Sequence, residues 1–277
     1  MARFIDPRVD WAFKRIFGSE DTKECLITFL NGLFEDEFVI RDVTFAKTEK
    51  LGLRPDDRGV VFDVYCITNE GKHVIVEMQK KEQEYFADRA LYYTARAIVQ
   101  QGVRGIWDYH LAPVYTVCFM DFLSDSPMLK EFRTDLVLTD LQTRQRVSDR
   151  MRIVYLQLPL FDKHTEGECM DIFDCWIYIV KNMNMFEQMP FSEKYPVFRK
   201  LAEIGDLRKL SREELELYDE DIKNMRDIYA TRKFDEKRGM EKEKLTTARR
   251  LLSMGLSDEQ VSTATELPLE EIQELKE

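Results

Sequence analysis

Histidine is scarce in this 277-residue chain: His73, His110 and His164 are the only three, and none lies at helical ligand spacing to another. A histidine metal centre or a Ser/His/Asp triad therefore has little to be built from. The five cysteines, Cys25, Cys66, Cys118, Cys169 and Cys175, include no Cys-x-x-Cys pair, and several fall in apolar stretches where buried thiols are common. Disulfides and zinc are not expected. No apolar run approaches a membrane span, and Met1-Ala2-Arg3-Phe4-Ile5-Asp6 lacks the apolar stretch of a signal peptide. The expectation is a cytoplasmic protein with no membrane partner and no nucleotide cofactor. A basic excess is also missing. The net charge is −11, which argues against broad, nonspecific attraction to nucleic acid, so any such ligand must be held locally. The acidity is uneven, since residues 201–277 hold 14 Lys+Arg against 20 Asp+Glu.

What is present is an acidic pair on a predicted β-hairpin. The run Val60 to Ile67 is rich in β-branched and aromatic residues, His73 to Gln79 alternates polar with apolar, and Asn69-Glu70-Gly71 between them is a turn signal. A three-residue loop with Gly71 in the left-handed position closes such a hairpin. In that register Phe62 faces Met78, Val64 faces Val76 and Cys66 faces Val74, an apolar face that a one-residue slip would mix with polar groups. The same register sets Asp63 opposite Glu77 on the other face, roughly 5 Å apart at Cβ, with Gln79 pointing the same way. His73 shares that face but is about 13 Å along the strand from Glu77.

Two like charges so placed repel unless a cation lies between them or one is protonated. Two hard oxygen ligands with a polar neighbour suit Mg²⁺ or Mn²⁺, which keeps several waters and takes one or two carboxylates from the protein. The Met78 carbonyl offers a third oxygen. Such a site suits phosphodiester hydrolysis, with Gln79 able to orient water but not to carry positive charge. The alternative on spacing alone is an ordinary strand edge with both carboxylates hydrated.

The arrangement resembles the PD-(D/E)XK nuclease superfamily, in which an Asp on one strand and an acidic-x-Lys triplet on the next build the metal site. Here the triplet is Glu77-Met78-Gln79, and Gln in the Lys position resembles the variant of the Rpn family of recombination-promoting nucleases, also described as putative transposases. Asp10-Trp11-Ala12-Phe13-Lys14-Arg15-Ile16-Phe17-Gly18 is similar to that family's opening helix, and Phe29-Leu30-Asn31-Gly32-Leu33 to the segment that follows. Arg89-Ala90-Leu91-Tyr92-Tyr93 matches its Arg-x-x-Tyr-Tyr helix. Gly239-Met240-Glu241 and Leu251 to Ser257 resemble its C-terminal segment. The resemblance implies a divalent-metal-dependent DNA endonuclease linked to recombination or mobile DNA, with Asp63, Glu77 and Gln79 catalytic and Asp63, Glu77 and the Met78 carbonyl holding metal. It also brings the Asp10 and Lys14 pair, otherwise an ordinary helix salt bridge, toward the active site. The rival reading is a weak or inactive nuclease-fold adaptor that binds DNA or protein, which the missing Lys and the acidic charge favour.

The remaining elements predict an α/β fold, a restriction-endonuclease-like mixed sheet flanked by helices, with an all-helical C-terminal extension. Asp6-Pro7 reads as the start of a helix to Phe17, residues 20–34 as a second helix, and Phe38 to Phe45 as a strand leading into the Gly52 to Asp57 loop. Residues 84–101 read as a helix with Phe86, Ala90 and Ala97 on a packing stripe and Arg89, Tyr92 and Arg96 on another. Arg89, Tyr93 and their neighbours suit site support, phosphate contact or base stacking; packing is the other reading of the tyrosines. Lys72, Lys80, Lys81, Arg89, Arg96 and Arg104 form a basic cluster near the acidic pair, able to follow a phosphate backbone or simply to be a solvated face. Val114 to Met120 reads as a central strand buried on both faces, and Thr134 to Thr139 and Ile153 to Leu158 supply two more. Strand signals cease near residue 165. Three regions are expected: a nuclease core at 1–162, a helical extension at 163–235 and a helical segment at 236–277. The last carries too many acidic residues to enter a DNA groove, so protein contact is expected there, with a homodimer through these helices as a hypothesis.

Overall fold

The computed structural model describes residues 3–50, 59–103, 105–127 and 129–275. The expected Gly52 to Asp57 loop and Arg104 of the basic cluster lie outside the described residues. Eight strands are described: β1 (Val43–Phe45), β2 (Glu49–Lys50), β3 (Val60–Val61), β4 (Val64–Thr68), β5 (His73–Gln79), β6 (Val114–Met120), β7 (Arg133–Thr139) and β8 (Arg146–Gln157). Six of them form a mixed sheet in the order β1, β4, β5, β6, β8, β7, and β2 pairs with β3 separately. The β4–β5 hairpin has the expected register, Val64 against Val76 and Cys66 against Val74, and Gly71 takes φ +79° in the turn. The pairs β5–β6 and β6–β8 are parallel, and every residue of β6 is buried. The first strand is shorter than its sequence signal, three residues at the sheet edge, whereas β8 begins seven residues earlier than expected.

Helices cover both faces. The helices α1 (Asp10–Phe17), α2 (Lys23–Leu33), α4 (Ile172–Asn182) and α5 (Pro196–Ile204) share an aromatic core on one side. Phe119 of β6 meets Phe13, Phe17 and Phe29 at 5.0 to 6.3 Å between ring centroids, and Trp176 touches Phe17 and Phe198. Helix α3 (Phe86–Val99) covers the other side, with Thr94 Oγ1 bonded to Thr116 Oγ1 at 2.7 Å and Ala90 packed near Cys118. All five cysteines are buried as free thiols.

Helix α1 starts at Asp10 rather than at Asp6-Pro7. Residues 4–6 are instead pinned to the far segment, Phe4 by a bridge to Asp206, the Ile5 N–H by the Gly205 carbonyl and the Asp6 N–H by the Tyr218 hydroxyl. The Asp6 carboxylate caps a local turn by accepting from the Arg8 N–H. Tertiary bonds override a valid helix-start signal here.

The chain divides into two compact units, residues 1–219 and 220–277. The expected extension from residue 163 is thus part of the first unit as far as 219. The expected boundary at 235/236 falls inside one helix, α6 (Arg212–Ser253). In the second unit α7 (Asp258–Thr265) and α8 (Leu269–Glu274) join the end of α6 around Ala248, Val261, Leu267 and Ile272, all buried. Gly255 at φ +86° ends α6, and a Ser257/Gln260 capping box opens α7. The apolar stripes of α7 and α8 are therefore spent on this small core. Among the described residues no helix is long and apolar enough to cross a membrane.

The Asn31-Gly32 step is explained by packing. Asn31 holds the Ile40 backbone through both of its amide atoms, at 2.7 and 2.8 Å. A Cβ on Gly32 would lie 2.9 Å from Ile172 Cγ2 and 3.1 Å from the Phe173 nitrogen, so α2 and the start of α4 touch only because this side chain is absent. Gly to Ala inside a helix ordinarily stabilises by up to about 1 kcal/mol. At Gly32 the sign reverses: Gly32→Ala is expected to lower unfolding free energy by about 1–3 kcal/mol, read from the denaturant midpoint at unchanged m.

Candidate active site

Glu77 stands beside Cys118 in the parallel β5–β6 pairing, so its side chain points to the face that α3 covers. It is only 6% exposed. Asp63 lies in a bend one residue before the β4 ladder begins, and this is where the expected hairpin stops being regular. Phe62 does not face Met78; it packs between Tyr65 and Tyr93 on the α3 side. The bend still brings the two acids together. The Asp63 N–H donates to Glu77 Oε1 at 3.2 Å, and the Met78 N–H donates to Asp63 Oδ2 at 2.8 Å. A hydrated strand edge is therefore not what the chain builds.

Burial pushes the Glu77 carboxyl up to about 8, and the neighbouring Asp63 charge pushes it the same way. Burial also raises Asp63 above the usual carboxylate range, against the pull of the Met78 N–H. Without a cation one of the pair holds a proton near neutrality. Asp63 Oδ1 and Glu77 Oε2 are the oxygens left after those two backbone bonds. The His73 N–H and the Gln79 carbonyl bond toward the β6 side, so by alternation the Met78 carbonyl faces the side from which β4 has departed. Two carboxylates and a carbonyl suit a hard divalent ion that keeps its waters. Among the described residues no group of three or more His, Cys, Asp or Glu side chains gathers as a metal cluster.

Positive charge comes from helices on opposite faces of the sheet. From α3, Arg89 Nη2 lies 3.7 Å from Glu77 Oε2, while Nη1 donates to Gln83 Oε1 at 2.9 Å and the guanidinium sits 5.0 Å over the Tyr93 ring. From α1, Lys14 pairs with Asp10 at 2.7 Å, the ordinary helix salt bridge. Its charge also lowers the proton affinity of both Asp63 and Glu77, and that of Asp10 raises Asp63. Both readings of the Asp10/Lys14 pair hold together.

The other expected residues scatter. Gln79 is half-buried, and its amide Nε2 donates to the Lys81 carbonyl at 3.1 Å, turned along its own chain. Lys80 reaches Asp6 at 3.6 Å, in a separate cluster with Arg8 and Asp121. Lys81 is half-buried just past the strand, and Lys72 pairs with Glu70. Tyr92 is 44% exposed and Tyr93 half-buried, but Arg96 is buried, so the expected Arg89, Tyr92 and Arg96 surface stripe does not form. The basic cluster is thus not one surface. The helix expected over 84–101 begins at Phe86, so Tyr85 stands before it as Gln83 does, and neither is among the expected site residues.

Searches of curated proteins and of solved structures return no match. A family model described as PD-(D/E)XK nuclease family transposase matches residues 7–233. The match takes in the opening helix, the acidic pair and the Arg-x-x-Tyr-Tyr helix, and it ends inside α6, short of the Gly239 and Leu251 blocks. Spanning most of the chain and the whole of its mixed sheet, that match means that this protein belongs to the PD-(D/E)XK nuclease family transposases.

Proposed function

We propose that the protein is a divalent-metal-dependent endonuclease that hydrolyses DNA phosphodiester bonds, with Mg²⁺ or Mn²⁺ held by Asp63, Glu77 and the Met78 carbonyl, and that it serves recombination or mobile DNA. The observation that carries this is a buried Glu77 set against the part-buried Asp63 and joined to it through the Asp63 N–H, with the Glu77 carboxyl pushed up to about 8. Such a pair is costly to ionise until a cation arrives. A bound cation would polarise the phosphoryl group and lower the pKa of an attacking water.

The chain's own residues do the rest. Asp63 and Glu77 give up the shared proton and present Oδ1 and Oε2. Gln79, standing where the superfamily has Lys, supplies no charge, and with its Nε2 on the Lys81 carbonyl it orients water through its amide oxygen. Lys14 and Arg89 take over that electrostatic role from the flanking helices, and Tyr93 beneath the guanidinium fixes its plane. Asp10 positions Lys14. The adaptor reading has in its favour the Gln79 amide turned to the Lys81 carbonyl. A concerted double-strand cut needs two such sites, hence two copies; we place that contact in the C-terminal unit, where Ile228, Tyr229, Phe234 and Met240 of α6 are exposed.

Cleavage of supercoiled plasmid tests the catalytic reading. The purified protein is expected to cut with Mg²⁺ or Mn²⁺ and not with EDTA, and Asp63→Ala and Glu77→Ala proteins that fold are expected to lose at least about 100-fold in rate. Lys14→Ala is expected to lose about tenfold or more, as removal of a transition-state charge does. Cutting that survives both carboxylate substitutions would sink the assignment.

Metal binding is also legible in stability. Because the folded pKa of Glu77 is raised, its contribution to stability is fully present below the unfolded value of 4.5 and is lost as pH rises through about 8. The melting temperature of metal-free protein is therefore expected to fall from about pH 5 to about pH 8 and then level, with Glu77→Gln flattening the slope. Mg²⁺ fixed at roughly 100 times its Kd at about pH 9 adds about 2.7 kcal/mol there, and the same concentration is expected to add less at about pH 6. A gain independent of pH would place the ion elsewhere.

A further inference from the structure

Beside the carboxylate pair a groove of about 620 Å³ opens against the start of α3. It adjoins the site directly, because Arg89, which touches Glu77, and Tyr93, on which Arg89 lies, both line it. Its other walls include Tyr85 and Tyr92, together with the exposed acids Glu84 and Asp88. Tyr85 is the anomaly. It stands at the N-cap of α3 with φ 62° and ψ 30°, makes no side-chain capping bond, and is 70% exposed. The usual N-cap residues are Ser, Thr, Asp and Asn, and a bulky residue in the left-handed region is uncommon. Neither capping nor packing explains this tyrosine, and strained residues concentrate at ligand sites.

We infer that this groove receives a single unpaired nucleobase of the DNA strand whose phosphodiester lies at Asp63 and Glu77, so that the preferred substrate carries an unpaired or extruded base at the cut. The inference rests on the catalytic reading above. Tyr85 and Tyr92 are exposed aromatic residues of the lining, and every base has a π face to stack on a tyrosine ring. Glu84 and Asp88 exclude a phosphate from the groove and accept hydrogen bonds from the exocyclic amines of cytosine, adenine or guanine. Arg89 at the inner wall counts against a cationic occupant such as a basic peptide side chain. A base inside a duplex is stacked and cannot enter a lateral groove, so it must be unpaired or flipped out. This also reconciles DNA binding with the −11 net charge: ring stacking holds the strand where a basic surface is lacking.

The test is a fluorescence titration of the full-length protein against short oligonucleotides carrying one 2-aminopurine, unpaired in a single strand or bulge, or paired in a duplex. Ca²⁺ is present to neutralise the carboxylates. Quenching with the unpaired probes and at least about tenfold weaker binding of the paired one is expected. Tyr92→Ala and Tyr85→Ala, both at exposed positions and checked by circular dichroism, are expected to weaken unpaired-probe binding about tenfold, with Tyr92→Phe retaining it. Equal binding of paired and unpaired probes, or quenching that survives both alanine substitutions, overturns the inference. The readout does not use cleavage. A protein that cuts plasmid but ignores base pairing loses the groove and keeps the metal site; one that quenches through Tyr92 but cuts nothing keeps the groove and loses the catalytic reading.

Discussion

A buried carboxylate with a second, part-buried one beside it is costly to keep ionised, and the local backbone is shaped by that cost. Each acid is met by the other's neighbourhood: the Asp63 N–H on Glu77 and the Met78 N–H on Asp63. A regular hairpin would forbid this. Had the ladder continued past Val64, Met78 would pair with Phe62, and its N–H would go to a backbone carbonyl. Instead the strand bends, the Phe62 N–H donates to the Thr48 carbonyl, and Phe62 turns to pack on Tyr65 and Tyr93. The irregularity in the hairpin is therefore what makes the acidic pair possible.

Strand alternation then decides which basic residues can serve that pair. Glu77 and Gln79 share the α3 face, so a charge at 79 would reach the acids and a charge at 80 does not. Lys80 goes to Asp6, in a cluster where Arg8 bonds Asp6 at 2.8 Å and Asp121 at 3.3 Å. That cluster ties the segment before α1 to the ends of β5 and β6, a structural duty for a lysine that sequence proximity alone would assign to the acids.

How much of this could be read beforehand follows the range of the forces involved. The β4–β5 register was legible because a slip would bury polar groups, and β6 because seven consecutive residues suit only a strand covered on both faces. The pairing of Asp63 with Glu77 was legible, but its route through a bend was not, since nothing in Phe62-Asp63 signals the departure of β4. The start of α1 was misread because Asp6 is held by Tyr218, more than 200 residues away. Arg96 has the right spacing for a surface stripe, yet the α3 packing face is wide enough to bury it. The expected 235/236 boundary lies inside α6, a helix that runs on across it without a break.

On the nuclease reading, the positive charge that the motif strand lacks comes from the flanking helices, and this changes what the site depends on. A lysine at position 79 would travel with the carboxylates, fixed by the same strand. Lys14 and Arg89 instead keep their places only while α1 and α3 stay docked on opposite faces of the sheet, through Phe13 and Phe17 on Phe119 and through Thr94 on Thr116. Each cation also has a second claim on it, Asp10 for Lys14 and Gln83 for Arg89. The field at the acids is thus a sum over two helix contacts. On the nuclease reading, core substitutions under either helix reach the chemistry without touching a ligand, because a small shift of α1 or α3 alters the pull of Lys14 or Arg89 against the burial and the Asp63 charge that raise the proton affinity of Glu77.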